Sequence, residues 1–317
     1  MKTDARPELS VCTVVRDAAA VPALIGALGQ QSAGPETFEL VLVDATGGAL
    51  GGVGHPDVDV VVIAAEPHER DAVLLERAWR GARAPGIAFL GAQLVPAPRW
   101  VEATQRQLRR GRRVVSGSWL PDPDSVAASG ALSQSLWAGS EEGAIATTDQ
   151  LACLTADLEQ VGGVPDEPDP AVRGALLAAR LVDAGADPSW ARHAIAYHPV
   201  DTRDLGTVLH ERRLRTAATL AVLDDHPRAR ARLMPAGVLP HRRHGEALLL
   251  LVGVVLARRD RRALALTLPW LHERTTLTPR AGGERRRWFV LPGVLLVDLH
   301  DAVTGLLARL RPDQPPR

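Results

Sequence analysis

The stretch Ile87-Ala88-Phe89-Leu90-Gly91-Ala92-Gln93-Leu94-Val95-Pro96 decides how this chain folds. An apolar run rich in β-formers ends in a turn at Gly91, and Pro96-Ala97-Pro98-Arg99-Trp100 follows. That order reads as a buried strand over 87–90 feeding a helix.

Working outward, 9–15 (LSVCTVV), 38–44 (FELVLVD) and 58–63 are further strand-like runs. Helical periodicity follows the first over 21–28. After the third, Ala72, Leu75, Ala78 and Trp79 share one helical face. Strands alternating with helices predict an α/β domain, with a mostly parallel, Rossmann-like sheet carrying helices on both faces. Such sheets bind ligands outside the carboxyl ends of their strands. The positions to interrogate are therefore Val14 to Asp17, Asp44 to Gly48, and Gly91 to Gln93.

From Thr207 the texture changes to Arg-rich helical segments broken by prolines. An amphipathic helix is expected over 209–223, with Arg212, Arg213 and Arg215 on its polar side. Further helices are expected over 247–257 and 290–307, the last carrying Asp298, His300 and Asp301. The expected division is a domain over 8–200, a basic helical extension over 201–310 and a disordered tail over 311–317. Residues 1–200 hold 16 basic and 25 acidic groups, and residues 201–317 hold 21 and 12. That asymmetry suits either a surface for anionic partners or two lobes that attract one another.

Hydrophobic residues at 46% and charged residues at 23% are ordinary for a soluble globular protein of 317 residues. Two cysteines are too few for a disulfide scaffold, and both are expected to be reduced and buried. The N-terminus lacks the apolar core of a signal peptide. The longest apolar run, Ala247 to Ala257, is 11 residues, short of the ~20 needed to span a bilayer. A cytoplasmic location is expected. The glycines at 47, 48, 51, 52 and 54 are followed by no Gly-Lys-Ser/Thr and open no G-x-G-x-x-G helix, so they read as a flexible loop and not a phosphate cradle.

Four stretches, in order, resemble bacterial family-2 glycosyltransferases with a GT-A fold. They are Leu9 through Asp17; Phe38 through Asp44; Gly86 to Leu90 with Val95 to Trp100; and Val161-Gly162-Gly163 with Asp166-Glu167, Arg180-Leu181, Ala184-Gly185 and Tyr197-His198. The resemblance implies a pocket that reads a nucleotide sugar, an Asp-X-Asp motif that grips a divalent metal, and a carboxylate base. It places the metal motif at Gly91, Ala92 and Gln93, where no acid stands. It places the second nucleotide-reading acid at Ala45, after Asp44. It places the base near Arg173 and Gly174, a cation instead of a carboxylate.

Substitutes are few. Glu167 or Asp169 serves as a base if the loop is rebuilt, and the bland alternative is a solvated loop. Asp44 is either a nucleotide contact or a cap on the loop that follows it. Arg16, Asp17, Asp44 and Gln93 are the expected cleft lining, with Arg16 and Arg173 available to offset diphosphate charge without metal. His198 matches a late family histidine that completes a metal site in some members, and without acids it reads as structural. His241 and His244 read as a solvated basic turn.

No Mn²⁺ or Mg²⁺ is expected, since hard cations want carboxylate oxygens. A nucleotide sugar remains the one ligand left open. The leading reading is a degenerate, non-catalytic glycosyltransferase-like protein, a binding or scaffold partner of an active glycosyltransferase or other pathway enzyme. One alternative is an active metal-independent transferase, or the same fold put to another reaction. The other is peripheral membrane contact through the basic C-terminal helices. No nucleic-acid partner is expected.

Overall fold

The computed structural model describes residues 6–122, 147–199, 205–234, 239, 242–277 and 287–310. The chain divides into two compact units, Met1–Trp119 with Ile145–His198, and Leu120–Ala144 with Pro199–Arg317.

The first unit carries an eight-stranded sheet. Strands β1 (Leu9–Val15), β2 (Phe38–Asp44), β3 (Asp59–Ala64) and β4 (Gly86–Leu90) form its parallel half, and β5 is the two-residue piece Val95–Pro96. Then come β6 (Val114–Pro121), β7 (Gln150–Leu154) and β8 (Pro188–His198). The order across the sheet is β3-β2-β1-β4-β7-β6-β8-β5. β1 pairs in parallel with β2 and β4, and β2 with β3. β7 runs antiparallel to both β4 and β6, and β8 antiparallel to β5. The sheet is thus mixed, an expected parallel half continued by an antiparallel half that the strand–helix alternation did not place. It has the α/β architecture the sequence predicts, and helices follow it in the chain.

Position in the sheet explains strand composition. β2 and β4 are interior and every residue of each is buried; β4 reads as an unbroken apolar run, and β2 as one interrupted only by Glu39 and closed by Asp44. β3 is an edge strand, and its residues are only partly covered. Pro96, which lacks an N–H, sits in β5 at the opposite edge, where a missing donor costs no interior ladder bond. Helices α1 (Val21–Gly29), α2 (Asp71–Arg80), α3 (Trp100–Arg109), α4 (Thr155–Gln160) and α5 (Pro170–Asp183) accompany the sheet. Leu24, Leu28, Leu40, Leu42, Leu90 and Trp100 meet in one core, each no more than 2% exposed. Cys12 and Cys153 are buried free thiols, as expected, and burial pushes both thiols up.

From residue 205 on, the second unit's described elements are helices: α6 (Leu205–Asp224), α7 (Pro227–Leu233), α8 (Arg242–Leu256), α9 (Leu268–Leu277) and α10 (Arg287–Leu310), with a 3₁₀ segment at Arg261–Thr267. Two expectations fail here. His244 is not on a solvated turn but buried in α8, 3% exposed. Arg212 is turned away from solvent, donating from Nε to both carboxylate oxygens of Asp301 at 2.9 Å. In both cases a side chain read as surface faces Asp301 of the last helix, a proximity invisible to local pattern. His241 and the 311–317 tail lie outside the described residues.

Candidate functional site

The carboxyl ends of β1 and β4 open onto a cleft of about 330 Å³. Arg16, Asp17, Gln93 and Arg173 line it, together with Asp71, Gly91, Ala92, Thr148 and Asp149. A second cavity of about 470 Å³ is lined by Arg16, Asp71 and Arg173 as well as by Glu69, Asp166 and Glu167. Those three shared residues form the charged centre of the region.

Arg16 follows β1. Its Nε and Nη2 donate to Asp71 Oδ1 at 2.9 and 2.6 Å, Nη1 donates to the Pro67 carbonyl at 2.6 Å, and Nη2 also reaches the Glu69 carbonyl at 2.6 Å. Four of its five N–H groups are therefore engaged with protein. Arg173, in α5, is 2% exposed. It donates from Nε to the Glu167 carbonyl at 2.6 Å and from Nη2 to the Pro168 carbonyl at 2.8 Å, with Nη2 3.8 Å from Asp71 Oδ2. Asp71 opens α2, where the helix N-terminus favours a carboxylate.

The acids nominated from sequence are likewise engaged. Asp44 is 4% exposed and accepts from Thr46 N at 2.9 Å, Thr46 Oγ1 at 2.5 Å and Leu50 N at 3.1 Å. Burial pushes its carboxyl up, but the bonds from Thr46 and Leu50 outweigh that and hold it below its ordinary value. It caps the glycine loop, which is a series of turns: Gly47 and Gly48 have φ of 82° and 98°, a region where side chains are strained. Asp17 caps its own 3₁₀ turn by accepting from Ala19 N at 2.9 Å. Asp169 is the N-cap of α5, accepting from Ala171 N at 2.8 Å and Val172 N at 3.2 Å. Glu167 accepts from Asp169 N at 3.2 Å. His198 is buried at the end of β8, its ring centroid 6.2 Å from that of Trp119.

At the turn after β4, Gln93 is exposed and Gly91 is crowded. A Cβ on Gly91 would lie 3.2 Å from the Gln93 amide nitrogen and 3.4 Å from Asp149 Cβ. Asp149 is the residue sequence reasoning missed. β7 runs antiparallel beside β4 with Leu90 opposite Gln150, so Gly91 N donates to the Asp149 carbonyl at 3.0 Å. Its only sequence signal is a single acid ahead of Gln-Leu-Ala-Cys-Leu. Asp71 was missed too, because the arginines it serves come from distant segments.

With Asp71 and Asp149 included, the cleft is not the cationic pocket that Arg16 and Arg173 alone would make. The donor set does not suit a hard divalent cation either. Gly91 and Ala92 offer no ligand, Gln93 one neutral oxygen, and no three His, Cys, Asp or Glu side chains among the described residues come together as a metal site.

No protein-family model and no curated protein matches the sequence. Among solved structures, the chain resembles a mannosyltransferase from Pyrobaculum calidifontis in complex with GDP-Man and Mn²⁺, with a TM-score of 0.56, 16% identity, and coverage of 98% of this chain and 88% of that one. S. aureus TarS 1–349 in complex with UDP gives a TM-score of 0.49 at 13% identity, covering 96% and 91%. The fold is that of a GT-A-like glycosyltransferase.

Proposed function

We propose that this chain is a glycosyltransferase-like protein that does not carry out metal-dependent sugar transfer, and acts as a non-catalytic binding or scaffold partner of a biosynthetic enzyme. One observation carries the reading: the charged groups around the cleft are spent on the protein's own loops. Asp44 and Asp169 cap backbone N–H groups, Arg16 and Arg173 hold loop carbonyls and Asp71, and the turn that should grip a metal is Gly91-Ala92-Gln93. A transferase needs groups reserved for the transition state. Groups already satisfied in the resting protein must first break those bonds.

The test is calorimetric titration with UDP, GDP and their common sugar conjugates, with and without Mn²⁺, alongside an assay for nucleotide diphosphate release. Heats near baseline and no release are expected. Micromolar binding that requires Mn²⁺ overturns the proposal, and so does metal-independent turnover, which would instead mark an active transferase without metal.

A further inference from the structure

The C-terminal unit buries a cluster of charged side chains. Arg243, His244, Glu246, Arg274, Asp298 and Asp301 are each less than a tenth exposed. Asp298 accepts from Trp270 Nε1 at 2.8 Å and Arg274 Nη2 at 2.6 Å. Aliphatic side chains face outward instead. On α8, Leu249, Leu251, Val252, Val255 and Leu256 are 43–60% exposed. At 100° per residue they fan over one side of the helix, opposite Glu246 and Leu250, and Val254, 51% exposed, lies beyond the edge of that fan. On α10, Leu296, Val303 and Leu307 are 44–48% exposed and fall on one stripe.

Isolated exposed aliphatics are ordinary, but a continuous helical face of them marks an interaction surface. Polar groups turned into the bundle with aliphatic groups turned out is the polarity of a protein in contact with lipid. The edge of the face carries the second half of the match. α8 runs into Arg258, Arg259, Arg261 and Arg262, all exposed, and none of the four has an ion-pair partner among the described residues. The one acid among them, Asp260, turns back to accept from Arg262 N at 2.9 Å. Gly253 lets the 261–267 segment lie against the helix, for a Cβ there would fall 2.8 Å from the Ala263 carbonyl oxygen. Leu264 and Leu268, 47% and 62% exposed, extend the apolar surface beyond the arginines.

An aliphatic face closed by unpaired guanidinia fits the boundary between acyl chains and phosphate headgroups, where lipid supplies the missing anions. A protein partner would have to supply both an apolar groove and a row of acids. Crossing is not what this geometry offers. The 15 residues of α8 reach about 22 Å against a hydrocarbon core of about 30 Å, and no described helix is long and apolar enough to cross a membrane. We infer that residues 242–268 lie in the surface of an anionic bilayer, with Leu249, Val252, Val255 and Leu256 among the acyl chains and Arg258, Arg259, Arg261 and Arg262 on lipid phosphates. This inference is independent of whether the cleft is catalytic.

The experiment is co-sedimentation of the full chain with vesicles of phosphatidylcholine alone, and of phosphatidylcholine and phosphatidylglycerol in equal parts. Binding to the anionic vesicles is expected, weakening with salt. Arg258→Gln/Arg259→Gln should reduce it roughly fivefold for each arginine removed. Val252→Glu/Val255→Glu should lower it by more than tenfold while thermal unfolding and circular dichroism stay native. Failure to bind anionic vesicles overturns the inference. So does binding that ignores both pairs of substitutions, or a self-association that Val252→Glu/Val255→Glu abolishes without any vesicle binding, which would assign the face to a second copy of the chain.

Discussion

Asp71→Asn isolates what holds the cleft in its resting state. The carboxylate receives two N–H bonds from Arg16, a pair about 40% exposed on each side, and stands 3.8 Å from the buried Arg173. An exposed pair of that kind contributes about 0.2–1 kcal/mol. Leaving a buried guanidinium without its carboxylate costs up to 3–5 kcal/mol in the extreme. Arg173 keeps its two carbonyl partners, and its distance to Asp71 exceeds hydrogen-bonding range, so most of that extreme does not apply. The loss should be about 1–2 kcal/mol, a fall of roughly 2–6 °C in melting temperature.

The same substitution should make the cleft take anions. Removing one negative charge about 6 Å from a bound phosphate, at an effective dielectric constant near 40, is worth about 1.4 kcal/mol, or roughly tenfold in affinity. Pyrophosphate titrated by calorimetry into wild type and Asp71→Asn, without metal, reads the gain directly, and urea unfolding reads the loss. A variant that is destabilised yet binds pyrophosphate no better than wild type refutes the idea that Asp71 is what neutralises Arg16 and Arg173.

Glu39 is fully buried in β2 and accepts from Ser10 Oγ, Arg83 N and Arg83 Nε at 2.5–2.7 Å; Glu39→Ala should cost roughly 2–4 kcal/mol in urea unfolding, and a loss under about 1 kcal/mol would contradict the network. Burial, then the Arg243 guanidinium, pushes His244 down to about 4. The histidine is therefore neutral when folded but takes up a proton near pH 6.5 when unfolded. Its contribution is present above that pH and is lost as pH falls from about 6.5 to 4, a drop of about 3 kcal/mol. Asp301, Asp298 and Arg212 also face the ring; His244→Gln should flatten this limb of the stability–pH profile, and an unchanged limb would place the titration elsewhere.

What could be read from sequence followed from how local its cause was. β1, β2 and β4 are apolar runs whose burial is written in the runs themselves, and their observed ends agree with expectation to a residue. The Gly91-Ala92-Gln93 turn followed from β4 alone. Asp149 and Asp71 did not, because what makes them cleft residues is an antiparallel neighbour strand and arginines from other segments. Arg212 and His244 were misread for the opposite reason. A helical position cannot tell water from a buried acid, and Arg212 of α6 and His244 of α8 face Asp301 of α10 while α8 and α10 turn aliphatics outward.

Side chains at the carboxyl end of a strand have two competing uses, a ligand or a neighbouring loop, and each N–H or carboxylate oxygen serves one at a time. An acidic metal motif keeps carboxylates close together at a cost in repulsion, which the bound metal offsets. Gly91-Ala92-Gln93 brings no carboxylates together to repel one another, and the neighbouring charges bind the chain itself. Arg16 secures the 67–71 segment, Arg173 the 167–168 carbonyls, Asp44 the 46–50 turn and Asp169 the start of α5. The GT-A-like core beneath is carried by Leu40, Leu42, Phe89 and Trp100, which do not depend on the cleft. The proposed loss of metal chemistry would therefore leave the fold intact. A single carboxylate introduced at position 93 would still face cations and caps already bound to protein.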